Sequence, residues 1–389
     1  MVPQVTGTNR SDVRAHNLGA ILLMLLHNGN MSRVSLAEAL GVSNATITNL
    51  VNELSRHDLI AEDGFVRTEG QVGRRQRALK LLPDARYALG VHIDVGKVYI
   101  ALSDLRGHLI DHEAFNHDLS DSWQRVLKQI ANRVRRLMAR HPEQQQRVVG
   151  LGVAASGLVD WTTGVNIYAP NLNWRDVPIA QTLHDSLNYP VIVENNVRAM
   201  ALGEALFGSA TRANALAFIY GRVGVGAGLV VGGQLYRGAD AGAGEIGHTW
   251  LLLDGNDAQA LESLISEPEI CRRASACVGQ TLTFDEVIAR VQAGDDALTA
   301  LIDQHSYYLG LALANIVNIF NPEMIVLGGI YRRAADIMLP KIHETLQRYA
   351  FANLGERLTI RTTALGQDVG MVGAAALALD ACFYRSATI

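Results

Sequence analysis

The chain is poor in cysteine, and its charges of opposite sign nearly cancel. Cys271, Cys277 and Cys382 are the only thiols in 389 residues, and none forms a Cys-x-x-Cys pair. An odd, sparse set of this kind excludes a disulfide framework and fits a reducing cytoplasm. Net charge is −4, from 34 basic and 38 acidic side chains. That excludes a protein coating itself in nucleic acid through bulk charge, so any DNA binding must be local and must show as a pattern. Long apolar runs are also missing. Leu18 to Leu26, the longest near the start, is too short to span a bilayer. No charged segment and small-residue cleavage site flank it, so neither a signal peptide nor a membrane partner is expected.

What remains is ordinary globular material, 49% hydrophobic and 19% charged. The length suits two or three domains with more than one core. The texture changes near Leu82-Pro83-Asp84. Before it lies a small helical unit with a basic hairpin. After it, strand-like runs (Leu89–Asp94, Val98–Ser103, Val148–Ala154) alternate with helical patterns such as Ser122–Arg140. A second batch of strands begins at Leu216–Gly233 and ends in the apolar Met324-Ile325-Val326-Leu327, closed by Gly328-Gly329. Two successive batches predict an α/β protein with two related lobes.

The N-terminal pattern predicts a DNA reader. Ser11 is placed to cap a helix carrying Val13, Leu18, Ile21, Leu22 and Leu25, which Gly29 ends. A short helix through Leu36 and Leu40 breaks at Gly41, and Ser43 caps the next, where Ile47, Leu50, Val51 and Leu54 form one stripe. Helix, glycine turn, helix is the helix-turn-helix pattern. The other side of the last helix carries Asn44, Thr48, Asn49 and Asn52. Such amides and hydroxyls suit base edges in a major groove. Leu59-Ile60-Ala61 then reads as a strand and Asp63-Gly64 as a turn. Gly70-Gln71-Val72-Gly73-Arg74-Arg75-Gln76-Arg77 follows as a basic wing tip suited to phosphates or a narrow minor groove. The expected DNA-contacting set is Arg33, Ser43, Asn44, Thr46, Thr48, Asn49, Arg74, Arg75 and Arg77. Residues 1–85 hold nine basic and eight acidic side chains, so the positive charge is concentrated on the wing.

Several later segments converge on one resemblance. In order they are Gly150–Asp160, Ala169-Pro170-Asn171-Leu172-Asn173-Trp174, Val193-Glu194-Asn195-Asn196-Val197-Arg198-Ala199, Gly224-Val225-Gly226-Ala227-Gly228, Gly244-Glu245-Ile246-Gly247-His248, Leu261–Ser266 and Gly370-Met371-Val372-Gly373. Together they resemble the ROK family of sugar kinases and sugar-responsive repressors, and the resemblance covers nearly the whole chain. It implies a winged helix-turn-helix domain over 1–82 and two actin-like, RNase H-type lobes around a sugar cleft. The first lobe would span 83–205, completed by a C-terminal helix near 371–389, and the second 206–370. It also implies that Gly157, Asn171, Asn195, Asn196, Glu245, His248 and Glu262 match positions that hold a sugar or sugar phosphate. Members with this N-terminal layout are typically regulators, so the expected partners are operator DNA, a sugar effector and further copies of the chain as a homodimer or homotetramer.

Three departures from the family's kinases argue against catalysis. Their Asp-x-Gly-Gly-Thr phosphate loop is Asp94-Val95-Gly96-Lys97-Val98 here, and their Gly-Thr-Gly is Arg222-Val223-Gly224. The Asp that resembles the general base is Asn196, and an amide cannot accept the proton of a sugar hydroxyl. No catalytic residue and no cofactor is therefore expected. The family's zinc cysteines are missing from Asp254–Glu262, which leaves His248 alone and implies no metal. Packing of Trp250 and Leu251 is the expected replacement.

Overall fold

The computed structural model describes residues 10–66, 76–252 and 258–385. The head is built from α1 (Arg10–Asn28), β1 (Met31–Ser32), α2 (Arg33–Leu40), α3 (Asn44–Arg56), β2 (Ile60–Val66) and β3 (Gln76–Leu81). Its strands form an antiparallel sheet in the order β1-β3-β2. The cap expected at Ser43 forms, and Ser32 caps α2 as well. Ser32 and Ser43 accept from the backbone N–H groups of Ser35 and Thr46, and Gly41 takes the left-handed conformation that closes α2. Ile47, Leu50, Val51 and Leu54 are buried, with Leu18, Ile21, Leu22 and Leu25 of α1.

Three details of the head differ from expectation. α1 already includes Arg10, so it begins before Ser11. Val13 is 47% exposed. At 100° per residue it lies about 140° around the helix from Leu18, off the stripe that Leu18, Ile21, Leu22 and Leu25 share. Asp63-Gly64 is not a hairpin turn. β2 continues through it to Val66, and the pairing register shifts between Glu62 and Phe65. Gly64, at φ +67°, absorbs an extra residue as a β-bulge. The wing tip with Arg74 and Arg75 lies outside the described residues.

The chain divides into two compact units. The first holds the head, the rest of the chain to Ala155, Trp161–Glu194 and the C-terminal stretch from Ala374; the second holds Ser156–Asp160 and Asn195–Gly373. In the first, β4 (Tyr87–Asp94), β5 (Lys97–Asp104) and β6 (Leu109–Asn116) form an antiparallel meander. The helix α4 (Trp123–Ala139) then leads to β7 (Val148–Ala155), which pairs parallel to β4. The strand Val191–Asn195 completes the sheet, in the order Val191–Asn195, β7, β4, β5, β6. The second unit repeats this plan. Ala215–Gly221, Val225–Val231 and Gln234–Tyr236 form a meander, and Met324–Gly329 and Thr359–Thr362 add in parallel on the other side. The central strands are buried on both faces, as sheets covered by helices require.

Within the first unit, α1 packs on the π-helical turn Asp380–Tyr384 at the end of the chain. The approach is very close: a Cβ on Gly19 would lie 2.0 Å from the Tyr384 carbonyl oxygen. The Tyr384 hydroxyl donates in turn to the Leu105 carbonyl, beyond β5. A methyl group at position 19 meets backbone, which cannot rotate away. Gly19→Ala is therefore expected to cost about 1–3 kcal/mol, read as a lowered denaturation midpoint. An unchanged midpoint would show that α1 does not seat as described.

Candidate functional site

Six of the seven residues expected to face a sugar fall in the second unit, and Asn171 falls in the first. The centre of the group is the start of the helix Asn196–Phe207. Asn195 ends the strand Val191–Asn195 and caps this helix, its amide oxygen accepting from Val197 N–H at 2.9 Å and Arg198 N–H at 3.2 Å. Its amide nitrogen donates to the Gly157 carbonyl at 2.9 Å, which anchors the turn after β7. Asn196 donates to Ser156 Oγ at 3.3 Å and accepts from Val197 N–H at 3.0 Å. Both amides are buried and held by hydrogen bonds, as buried polar groups must be. The group lies at the carboxyl ends of two neighbouring strands, where open α/β sheets bind ligands.

Glu245 precedes and His248 ends a single 3-10 turn, Ile246–His248. The turn is pressed onto the strand Val225–Val231. Gly244, at φ +90°, accepts at its carbonyl from Ala227 N–H at 2.7 Å, and a Cβ there would lie 2.0 Å from the Ala227 oxygen. Only glycine fits both demands. Glu262 opens the short helix Glu262–Ile265, and its carboxylate accepts from Val225 N–H at 2.8 Å.

Arg198 was not singled out by sequence reasoning. It is 1% exposed and donates to the Ala241 carbonyl at 2.7 Å and the Ala243 carbonyl at 3.3 Å. One helical turn after the Asn195 cap, it thus ties the helix to the loop that delivers Glu245. Ser156 was also missed. A charge inside the Asn-Asn-Val-Arg-Ala run was the available signal, because a buried Arg must find carbonyls or a carboxylate.

The electrostatics single out Glu245. Its side chain reaches solvent, yet burial is the largest influence and raises its carboxyl pKa above 4.5. The Arg198 and His248 charges oppose that rise, and the Glu262 carboxylate adds to it. A carboxylate held above its ordinary range, near a second carboxylate, suits adjacent hydroxyls of a polyol, which supply donors without bringing charge. Trp250–Leu252 pairs with Ala258–Ala260 just beyond. Leu251 packs against the core as expected, whereas Trp250 is 69% exposed. Asp254–Asp257 lie outside the described residues, among which no cluster of three or more His, Cys, Asp or Glu is placed to hold a metal ion.

On the head, Asn44, Thr46 and Asn49 lie exposed on α3. Thr48 is half-buried, and its hydroxyl donates to the Asn44 carbonyl at 2.8 Å, which leaves its oxygen lone pairs and methyl for a partner. Ser43 is committed to capping. Arg33 sits at the first position of α2, and Arg77 is in β3.

The ROK family model matches residues 88–381, and a winged helix-turn-helix DNA-binding model matches residues 15–61. The chain belongs to the ROK family. It is 26% identical over 390 residues to the xylose repressor of Caldicellulosiruptor bescii, covering 96% of this chain and 97% of that one. It is also 29% identical to a glucokinase of Halalkalibacterium halodurans over 308 residues, 74% of this chain and 93% of the kinase. Among solved structures, a ROK family transcriptional regulator described as a homologue of the Escherichia coli Mlc protein superposes with a TM-score of 0.81 at 24% identity, over 96% of this chain and 98% of that one.

The raised Glu245 carboxyl carries a stability signature. A folded pKa above the unfolded value means that ionising the group opposes folding, from the unfolded pKa upward. Below both values the penalty vanishes. Glu245→Gln should therefore raise the melting temperature near pH 7, with the gain disappearing by about pH 3, where the wild-type group is protonated in both states. A gain equal at both pH values, or none at neutral pH, would contradict the assignment.

Proposed function

We propose that the protein is a sugar-responsive, DNA-binding transcriptional regulator of the cytoplasm that acts as a repressor. The observation that carries this reading is the joint presence of a winged helix-turn-helix head and a ROK body in a chain that aligns end to end with a xylose repressor. Arg33, Ser43, Asn44, Thr46, Thr48, Asn49, Arg74, Arg75 and Arg77 form the reading surface. Two heads in a homodimer, or pairs of them in a homotetramer, would grip half-sites about 10 bp or a multiple apart.

In this reading Glu245, His248 and Glu262 hold sugar hydroxyls, with Asn195, Asn196 and Gly157 completing the seat. Inverting a 1:99 equilibrium between operator-binding and released states takes about 5.5 kcal/mol of differential binding, within reach of several buried hydrogen bonds to a sugar or sugar phosphate. Kinase activity is not part of the proposal. The general-base position is Asn196, whose amide donates to Ser156 and accepts from Val197. Replacing a positioned base by an amide costs on the order of 10²–10⁴ in rate. The bulky Arg222 and the hydroxyl-free Val223 stand where a phosphate loop needs small residues and donors.

The test is a mobility-shift titration on the DNA upstream of the protein's own gene, without and with xylose, glucose and their phosphates. The expected outcome is a shift that one of these ligands releases, and a Glu245→Ala variant that binds the DNA equally well but no longer responds. A variant that still releases at the wild-type ligand concentration would refute the seat. Clear ATP turnover on any of these sugars would refute the reading of Asn196.

A further inference from the structure

Four described cations of the head are already paired with carboxylates. Arg14 pairs with Glu53, Lys80 with Asp63 at 2.8 Å, and both Arg33 and Arg77 with the single carboxylate of Glu62. Arg33 reaches one oxygen of Glu62 at 3.2 Å, Arg77 takes the other, and Arg33 also donates to Asn52 of α3 at 3.5 Å. Glu62 stands at the edge of the bulge in β2, and bulges re-aim side chains. All three residues line one depression, together with Phe65 and Gln76.

The placement makes poor sense as a device for stability. Arg33 occupies the N-terminal turn of α2, the end of a helix that repels cations, and no acidic residue stands in that turn to compensate. The pairs are partly exposed, with side-chain exposures of 35% for Arg33, 69% for Arg77 and 33% for Glu62, and such pairs add little to stability. They are correspondingly easy to open, and a phosphate offers each arginine a better bidentate partner than a shared carboxylate.

We propose that Glu62 is a positioning residue of the DNA-reading head, which holds Arg33 and Arg77 against the protein and thereby lowers the head's affinity for DNA backbone of any sequence. The proposal rests on the DNA-reading assignment. The two arginines transfer to phosphates only where α3 has found base edges that compensate for opening the pairs. Non-specific affinity comes almost wholly from phosphate neutralisation, so sequestering two arginines raises the ratio of specific to non-specific binding.

The experiment measures binding of the full-length protein to a labelled 30-bp mixed-sequence duplex from about 50 to 300 mM KCl, by fluorescence anisotropy. Relative to wild type, Glu62→Gln should bind about 3- to 8-fold tighter at 0.1 M salt, and the slope of log K against log salt should steepen by about 1. Glu62→Asp should restore the wild-type slope. Adding Arg33→Ala and Arg77→Ala to Glu62→Gln should erase the gain. An unchanged slope for Glu62→Gln, weaker binding, or a gain that survives loss of both arginines would overturn the proposal. A wild-type protein that binds no duplex even at 50 mM salt would instead overturn the DNA-reading assignment beneath it.

Discussion

A guanidinium sealed inside the second unit is the constraint around which the proposed ligand seat is arranged. Taking a cation out of water costs several kcal/mol unless hydrogen bonds and an opposite charge replace the lost hydration. Arg198 obtains the first from the Ala241 and Ala243 carbonyls, and the Glu245 carboxylate supplies part of the second, an attraction that does not outweigh that carboxylate's own burial. Those carbonyls belong to the loop that ends at Gly244, so meeting the needs of Arg198 also sets where Glu245 stands. At the other end, Arg198 N–H and Val197 N–H are capped by Asn195, whose amide nitrogen reaches the Gly157 turn. One helix start thus gathers three chain segments that are distant in sequence.

The two sheets show why such a start is available. Each is a three-stranded meander with two further strands added on the far side of its first strand, the nearer of them parallel to it. A parallel addition needs a crossover, and the crossovers leave helix starts and loops at the carboxyl ends of strands. Asn195 and the Gly157 turn lie at such ends. The head is bound into the first unit by a different device, close backbone contact at Gly19 against the chain's final turn.

Much of this was legible because it follows from short-range rules. The stripe of α3, the cap at Ser43 and the apolar strand Met324–Gly329 each depend on a few consecutive residues. The family resemblance pointed to Asn195, Asn196, Glu245, His248 and Glu262 as candidates, and all five fall in the second unit. What was not legible depends on partners far along the chain. Asp63-Gly64 has turn chemistry, but Phe65 and Val66 pair onward with Arg77 and Gln76, so the glycine serves a bulge instead. Arg198 looks like a surface charge until the Ala241 and Ala243 carbonyls are placed beside it. Glu62 looks like one more acid in a nearly neutral head until Arg33 and Arg77 meet on it. A low net charge proves to be an arrangement as much as a composition, since the described Arg14, Arg33, Arg77 and Lys80 each already have a carboxylate.

The most direct test of the central claim replaces Arg198 by Met, which keeps much of the volume and removes the donors. Isothermal titration of the effector and operator-binding isotherms should be measured on the same preparation. If the guanidinium organises the seat, effector affinity falls by at least about 100-fold, the cost expected for losing hydrogen bonds to a buried charge, while operator affinity without effector is unchanged. Wild-type effector affinity in the variant would contradict the account.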